Sequence, residues 1–203
     1  ETKNEFRNSA HLAVTCQDYY NKVWTNDSFT IEKSSSGVPL VEIGFTFPVY
    51  DSPTLCVLLS GTIDGIGKQG NQILGVDIKT TALWDVDQFL RLYSLSSQLM
   101  FYDMALSMLP LSEEYKEVGW IVDGIFLRKG TPTDFHRSNP VFFSAQQKLE
   151  YRDMVMNTIH KIVHAVESNN WSPNYICCDQ SKYDEHKVGM CKFFQICEQN
   201  STE

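Results

Sequence analysis

Three charged residues have types and spacing that suit one kind of chemistry. Asp64 lies within Gly61-Thr62-Ile63-Asp64-Gly65-Ile66, and Asp77 and Lys79 lie within Val76-Asp77-Ile78-Lys79-Thr80-Thr81. Hydrolysis of a phosphodiester needs its negative centre shielded, a water activated and the leaving oxyanion stabilised. A divalent metal held by carboxylates supplies most of this. Mg²⁺ or Mn²⁺ takes hard oxygen ligands and keeps several waters, so Asp64, Asp77 and the backbone carbonyl of Ile78 suffice. Asp77 and Lys79 are two apart on a strand, so their side chains share one face, and Ile78 is expected to point into the core on the other. A lysine in that position orients the attacking water. An Asp-x-Lys pair alone is commonly an ordinary surface pair. The glycines flanking Asp64, which admit a close approach, and a helix bearing Gln98 and Tyr102 at i and i+4 weigh toward a site.

The elements that must position these residues follow from periodicity and from start and stop signals. From Asn8 to Trp24 apolar residues recur at helical spacing (Leu12, Ala13, Cys16, Tyr19, Tyr20, Val23) and predict an amphipathic helix. Asn26-Asp27-Ser28 and Ser34-Ser35-Ser36-Gly37 are loop signals. Val41 to Val49 alternates as a strand, with Pro48 marking an edge or an end. Leu55 to Ser60 is a short apolar run, Lys68 to Asn71 a turn, and Ile73 to Ile78 a further strand. Together they predict an antiparallel meander of about three strands. Asp85 or Asp87 caps a long helix to about Leu106, with Phe89, Leu92, Leu95, Leu99 and Met100 facing a core. Gly119 to Arg128 is strand-like. Ser144 and Gln147 form a capping box that opens a helix from Ala145 to about Val166. The order predicts an α/β domain with a central mixed sheet flanked by helices. Internal repeats and low-complexity stretches are absent.

Composition bounds the reading. The 203 residues, 42% hydrophobic, suffice for one sizeable core. No run approaches 18 apolar residues, so no membrane span is expected. The polar start from Glu1 to Asn8 lacks the apolar region of a secretory signal, so a cytoplasmic protein is expected. A formal charge of −8 argues against a protein that merely coats nucleic acid, but not against an enzyme whose carboxylates bind metal. Arg128, Lys129, Arg137 and Lys148 are candidates to meet phosphate, with Arg128 foremost. Phe193-Phe194 and the aromatics near Trp84 are candidates to stack on unpaired bases, against the ordinary alternative of core packing. Four of the six cysteines (Cys177, Cys178, Cys191, Cys197) crowd the end of the chain. Without a secretory signal they read as metal or cluster ligands rather than disulfides. Cys16 and Cys56 read as small buried apolar residues.

Gly61-Thr62-Ile63-Asp64-Gly65-Ile66, Val76-Asp77-Ile78-Lys79-Thr80-Thr81 and Gln98-Leu99-Met100-Phe101-Tyr102 together resemble the RecB-type branch of the PD-(D/E)xK nuclease superfamily. The likeness covers roughly residues 40 to 102 and is closest to stand-alone, phage-like members. It implies a restriction-endonuclease-like core over residues 1–171 and a cysteine-rich tail over 172–203. It implies Asp64 and Asp77 as metal ligands, Lys79 as the catalytic lysine, and Gln98 and Tyr102 as site support or DNA contacts. The implied activity is a Mg²⁺- or Mn²⁺-dependent DNA nuclease, an exonuclease acting on single- or double-stranded DNA in recombination, replication or genome processing. A helicase, recombinase or replication protein would be its partner, in a bacterial or phage-infected cell. Asp77 stands where many superfamily members carry Glu, a substitution usual in this branch.

The branch also carries an upstream His or Glu as a further metal ligand. Here the options are His11, whose ordinary role would be surface or core, Glu42, whose ordinary role would be a solvent-facing strand residue, or sequence before Glu1. The tail resembles that of iron–sulfur nucleases in the branch. This implies a [4Fe–4S] cluster on Cys16, Cys178, Cys191 and Cys197, stapling the two ends of the domain. The usual Cys-x-x-Cys before the last cysteine is missing, with Val188 where its first member would fall. Zinc is the alternative metal, and a tail that binds nothing is the third option. Two rival functions stay open: an inactive DNA-binding or assembly module of the same fold, and a structural iron–sulfur or zinc domain.

Overall fold

Alternating apolar residues and one long, glycine-punctuated strand shape the sheet. The computed structural model describes residues 9–109, 118–128 and 132–171. Its strands are β1 (Phe29–Ile31), β2 (Val41–Asp51), β3 (Cys56–Gln69), β4 (Gln72–Thr81), β5 (Gly119–Phe126) and β6 (Asp134–Arg137). Its helices are α1 (Ser9–Lys22), α2 (Val86–Arg91), α3 (Ser97–Met108) and α4 (Ala145–Ser168). The apolar run at Leu55 and the glycine-flanked segment after it form one strand, β3, of 14 residues. Along one edge β3 pairs with β2 and then with β1; on the other it pairs antiparallel with β4. The two-residue turn between β3 and β4 needs Gly70, whose φ of +60° is costly for a residue with a Cβ.

β4 continues into a parallel ladder with β5, from Leu74↔Gly119 to Thr81↔Phe126, and β6 closes the far edge antiparallel. Parallel neighbours need a long crossover, and α2 and α3 lie within it. β5 is buried at all of its positions, as a central parallel strand must be. The result is a curled mixed sheet flanked by helices, as expected and consistent with a restriction-endonuclease-like core. On one face Ile63, Ile66, Trp120 and Val122 pack with Leu99, Tyr102 and Leu106 of α3. On the other, Leu74, Val76 and Ile121 pack with Phe29. Gly75 is required on the α3 face, since a Cβ would fall 2.3 Å from the Trp120 ring.

Four expectations are corrected. The single helix expected from Asp85 to Leu106 is two helices. Asp85 caps α2 by accepting from the Gln88 amide at 2.8 Å, and Ser96 caps α3 through the Leu99 amide. Serines compete for backbone hydrogen bonds, and Ser94 donates to the Arg91 carbonyl where the helix stops. Leu92 and Leu95, expected in the core, are instead 63% and 69% exposed. On α1 the predicted apolar stripe is not the buried side. Leu12, Cys16 and Tyr20 are exposed and Thr15 is buried, because this helix docks through a polar anchor, Tyr19 on Asp123, that hydropathy does not register. Cys56 is likewise exposed rather than buried. β1 and β6, of three and four residues, are too short to give a period.

The chain divides into two compact units, Glu1–Val155 and Met156–Glu203, the division falling within α4. No helix among the described residues is long and apolar enough to cross a membrane. The capping box at the start of α4 is present: the Gln147 amide donates to Ser144 Oγ, and the Ser144 amide donates back to Gln147 Oε1 at 2.9 Å. Ser144→Ala should therefore cost about 1 kcal/mol. In a thermal melt that is a fall of roughly 2–4 °C; an unchanged melt would show that the cap contributes nothing.

Candidate active site

The β3–β4 ladder runs from Gln69↔Gln72 to Gly65↔Val76 and stops, while β4 goes on pairing with β5 as far as Thr81. The sheet forks there, and the next residues on the two prongs are Asp64 and Asp77. Across the fork the Ile78 amide donates to Asp64 Oδ2 at 2.8 Å, a carboxylate taking the place of a strand partner. Asp77 is fully buried, at 0% exposure. Its Oδ1 accepts from Lys79 Nζ at 3.0 Å, while its Oδ2 is buried with no hydrogen-bond partner. Both side chains project toward the α3 face, where Gln98 Nε2 donates to Tyr102 Oη at 2.7 Å. Tyr102 is held against the Trp120 ring, 5.7 Å between centroids.

Burial pushes the Asp77 carboxyl above the ordinary range. Its hydrogen bond to Lys79 and the Lys79 charge oppose that, and the Asp64 charge adds to it. Burial of Lys79 works against its charge, but the bond to Asp77 and the charges of Asp77, Asp64 and Tyr102 outweigh it and raise the lysine above its usual value. Lys79 is thus a fixed cation. Tyr93, in the break between α2 and α3, belongs to the same electrostatic neighbourhood. Its phenol is raised by burial, with Lys79 opposing and Asp77 assisting. Tyr93 is not among the candidates that the sequence offers, because leucine spacing carries a continuous helix through this break; the serines at 94 and 96 are the signal that marks it.

These residues fit a divalent cation. Two carboxylates meet at the fork, one with an orphaned buried oxygen and a charge that its surroundings disfavour, and a cation would remedy both. Ile78 keeps its carbonyl beside them, but its side chain is 41% exposed rather than in the core. The apolar cover on that face comes from Phe29 and Ile31, whose strand ends opposite Gly67, so it does not extend past Val76. Glu42 stands opposite Asp64 in the register between Val41↔Gly65 and Ile43↔Ile63, exposed and at a left-handed φ of +49°. His11 lies on α1. Among the described residues no three His, Cys, Asp or Glu converge on a metal-sized site, so neither Glu42 nor His11 completes a three-member set with Asp64 and Asp77.

The basic residues proposed to meet phosphate are differently employed. Arg137 is clamped by Asp123 and Asp27, and Lys148 donates to Asp103 at 3.0 Å. Arg128 lies beneath Trp84 and donates to the carbonyls of Leu83 and Trp84. Lys129, Phe193, Phe194 and the tail cysteines Cys177, Cys178, Cys191 and Cys197 lie outside the described residues. Cys16 and Cys56 are free, exposed thiols.

A pH dependence follows from the Asp77 environment. A carboxyl raised above its ordinary value gains its proton at a higher pH during acidification, and a protonated Asp77 binds metal poorly. Mn²⁺ affinity, measured by titration calorimetry across pH, should therefore fall off above the usual carboxylate range. In Lys79→Ala the fall should move to still higher pH, because the opposing cation is gone. A fall in the ordinary carboxylate range in both proteins would contradict this.

No family model matches the chain, and no curated protein matches it. Among solved structures, a protein from Eubacterium rectale described as a candidate exonuclease is similar at 11% identity and a TM-score of 0.45. That likeness covers 92% of this chain and 66% of the other, so the chain spans just under two thirds of its length. The protein SSO0001 is similar at 14% identity and a TM-score of 0.28, over 72% of this chain and 56% of that one.

Proposed function

We propose that this chain is a Mg²⁺- or Mn²⁺-dependent DNA nuclease of the exonuclease type. The observation that carries the reading is the forked strand pair, which sets the Asp64 carboxylate and the orphaned oxygen of buried Asp77 beside the fixed cation of Lys79. Asp64, Asp77 and the Ile78 carbonyl would hold the metal, with water filling the remaining positions. When bound, the metal supplies Lewis-acid polarisation of the phosphoryl group and eases deprotonation of the attacking water. Lys79 is held charged and is therefore no proton acceptor. Its role is to fix the attacking oxygen by hydrogen bonding and to offset negative charge on the phosphoryl oxygens as the phosphorus–oxygen bond breaks. The Gln98–Tyr102 pair orders the α3 wall of the site. Work on DNA ends in recombination, replication or genome processing, with a helicase or recombinase as partner, is the role that fits.

The test is to incubate end-labelled single- and double-stranded DNA with Mg²⁺, Mn²⁺ or chelator, using wild type and Asp77→Ala. Cleavage that needs metal and is lost in the variant is expected. Absence of cleavage under all conditions, with DNA binding retained, would favour the inactive binding module. We also propose a [4Fe–4S] cluster on Cys16, Cys178, Cys191 and Cys197, supported by the cysteine spacing and the exposed Cys16 thiol. Anaerobically purified protein should then absorb visible light; bound zinc without colour would replace the cluster by zinc.

A further inference from the structure

Trp84 is 68% exposed. The chain nonetheless spends several interactions holding it still. The guanidinium of Arg128 is stacked between Phe126 and Trp84, 4.8 Å and 5.2 Å from the ring centroids. Arg128 Nε donates to the Leu83 carbonyl at 2.9 Å and Nη2 to the Trp84 carbonyl at 3.2 Å. The Leu83 amide donates to Thr81 Oγ1 at 3.1 Å, and Asp85 caps the helix that follows. One side of the indole is buttressed and the backbone on either side of it is pinned. The ring is thus a preorganised platform rather than a loose surface side chain.

Its place in the chain connects it to the site. Trp84 follows β4, the strand that bears Asp77 and Lys79. Five residues of chain span at most about 17 Å, or roughly five nucleotides at the rise of a stacked strand. We propose that Trp84 is a stacking platform for an unpaired base of single-stranded DNA whose backbone leads to the Asp77–Lys79 site. A base offers a π face to the open side of the ring. Arg128 beneath the ring shares its charge with the Asp134 carboxylate at 3.9 Å, so the stack itself, which tolerates any sequence, carries the recognition. The choice of DNA as occupant rests on the nuclease reading; the platform itself does not.

The experiment measures binding of a short labelled single strand and of a blunt duplex by fluorescence anisotropy, in chelator so that nothing is cut. Wild type, Trp84→Ala, Trp84→Phe and Asp77→Asn are compared. Trp84→Ala should bind the single strand roughly five- to hundred-fold more weakly, with duplex binding nearly unchanged. Trp84→Phe should retain most of the affinity, and the quenching of tryptophan emission by the single strand should disappear in it. Equal single-strand binding by wild type and Trp84→Ala overturns the proposal. So does an equal loss on both DNAs, or a failure of wild type to bind single strands. Concentration-dependent self-association lost in Trp84→Ala, without single-strand binding, overturns it in favour of a second copy as occupant. Trp84-dependent binding by a protein that cuts nothing keeps the platform and removes the nuclease; Trp84-independent binding by a protein that cuts does the reverse.

Discussion

Lys79→Ala is expected to slow single-turnover DNA cleavage by about 10²–10⁴-fold while leaving metal and DNA binding largely in place. At 1.4 kcal/mol per factor of ten, the ammonium is being asked for roughly 3–6 kcal/mol of transition-state stabilisation. That demand is reasonable for a cation held within 3.0 Å of a fully buried carboxylate and only partly open to water. Alanine removes the charge that attacking and departing oxygens would meet, but neither Asp64 nor the unpartnered oxygen of Asp77. Arginine should rescue poorly, because a planar fork cannot replace a compact point charge in the same space. Asp77→Ala, by contrast, should lose cleavage and metal affinity together. One complication is built in: without Lys79, Asp77 ionises less readily. The rates must therefore be compared at alkaline pH, where Asp77 is ionised in both proteins. A variant that recovers full activity there would show that Lys79 serves only to keep Asp77 charged, and the electrostatic role would be lost.

The legibility of this molecule in its sequence divides along a physical line. Strands β2 to β5 were readable because each buries an alternating or continuous apolar face, and the capping box at Ser144 because it is a local device. Asp77 and Lys79 share a face for the same reason that any residues two apart on a strand do. The fork was not readable. Nothing in the residue types says that β3 and β4 part company after Gly65 and Val76, and that parting turns two strand aspartates into one site. The break at Ser94–Ser96 was hidden by leucines whose spacing fits a helix that the serines interrupt. The basic residues misled in the opposite way. Arginine at a strand end suggests phosphate, yet Arg128 and Arg137 are both consumed by the protein, one as a prop for Trp84 and one as the hub of an ion cluster. Charge in a sequence has no address until the fold supplies its partners.

That cluster makes the second large effect, and it lies behind the site. Arg137 Nε and Nη2 grip the two oxygens of Asp123 at 2.6 Å and 2.7 Å, while Nη1 donates to Asp27 Oδ1 at 2.8 Å. The Tyr19 hydroxyl donates to the same Asp123, and burial, then the Asp123 charge, raises that phenol so that it stays a donor. One guanidinium therefore ties the loop before β1, β5 and β6 together, and Tyr19 joins α1 to them through Asp123. Asp123 is paired in register with Ile78, between Asp77 and Lys79. Arg137→Met strands two buried carboxylates at once and should cost roughly 3–5 kcal/mol, read as a lower denaturant midpoint at unchanged slope. Asp123→Asn turns its amide NH2 against one Arg137 donor, but Arg137 keeps Asp27, the amide oxygen still accepts from Tyr19, and no buried charge is left without a partner. It should cost clearly less. The order of the two matters more than either size. If Asp123→Asn proved the more damaging, the cluster would owe its strength to the attraction within one pair, and the argument from unpaired buried charge would be wrong.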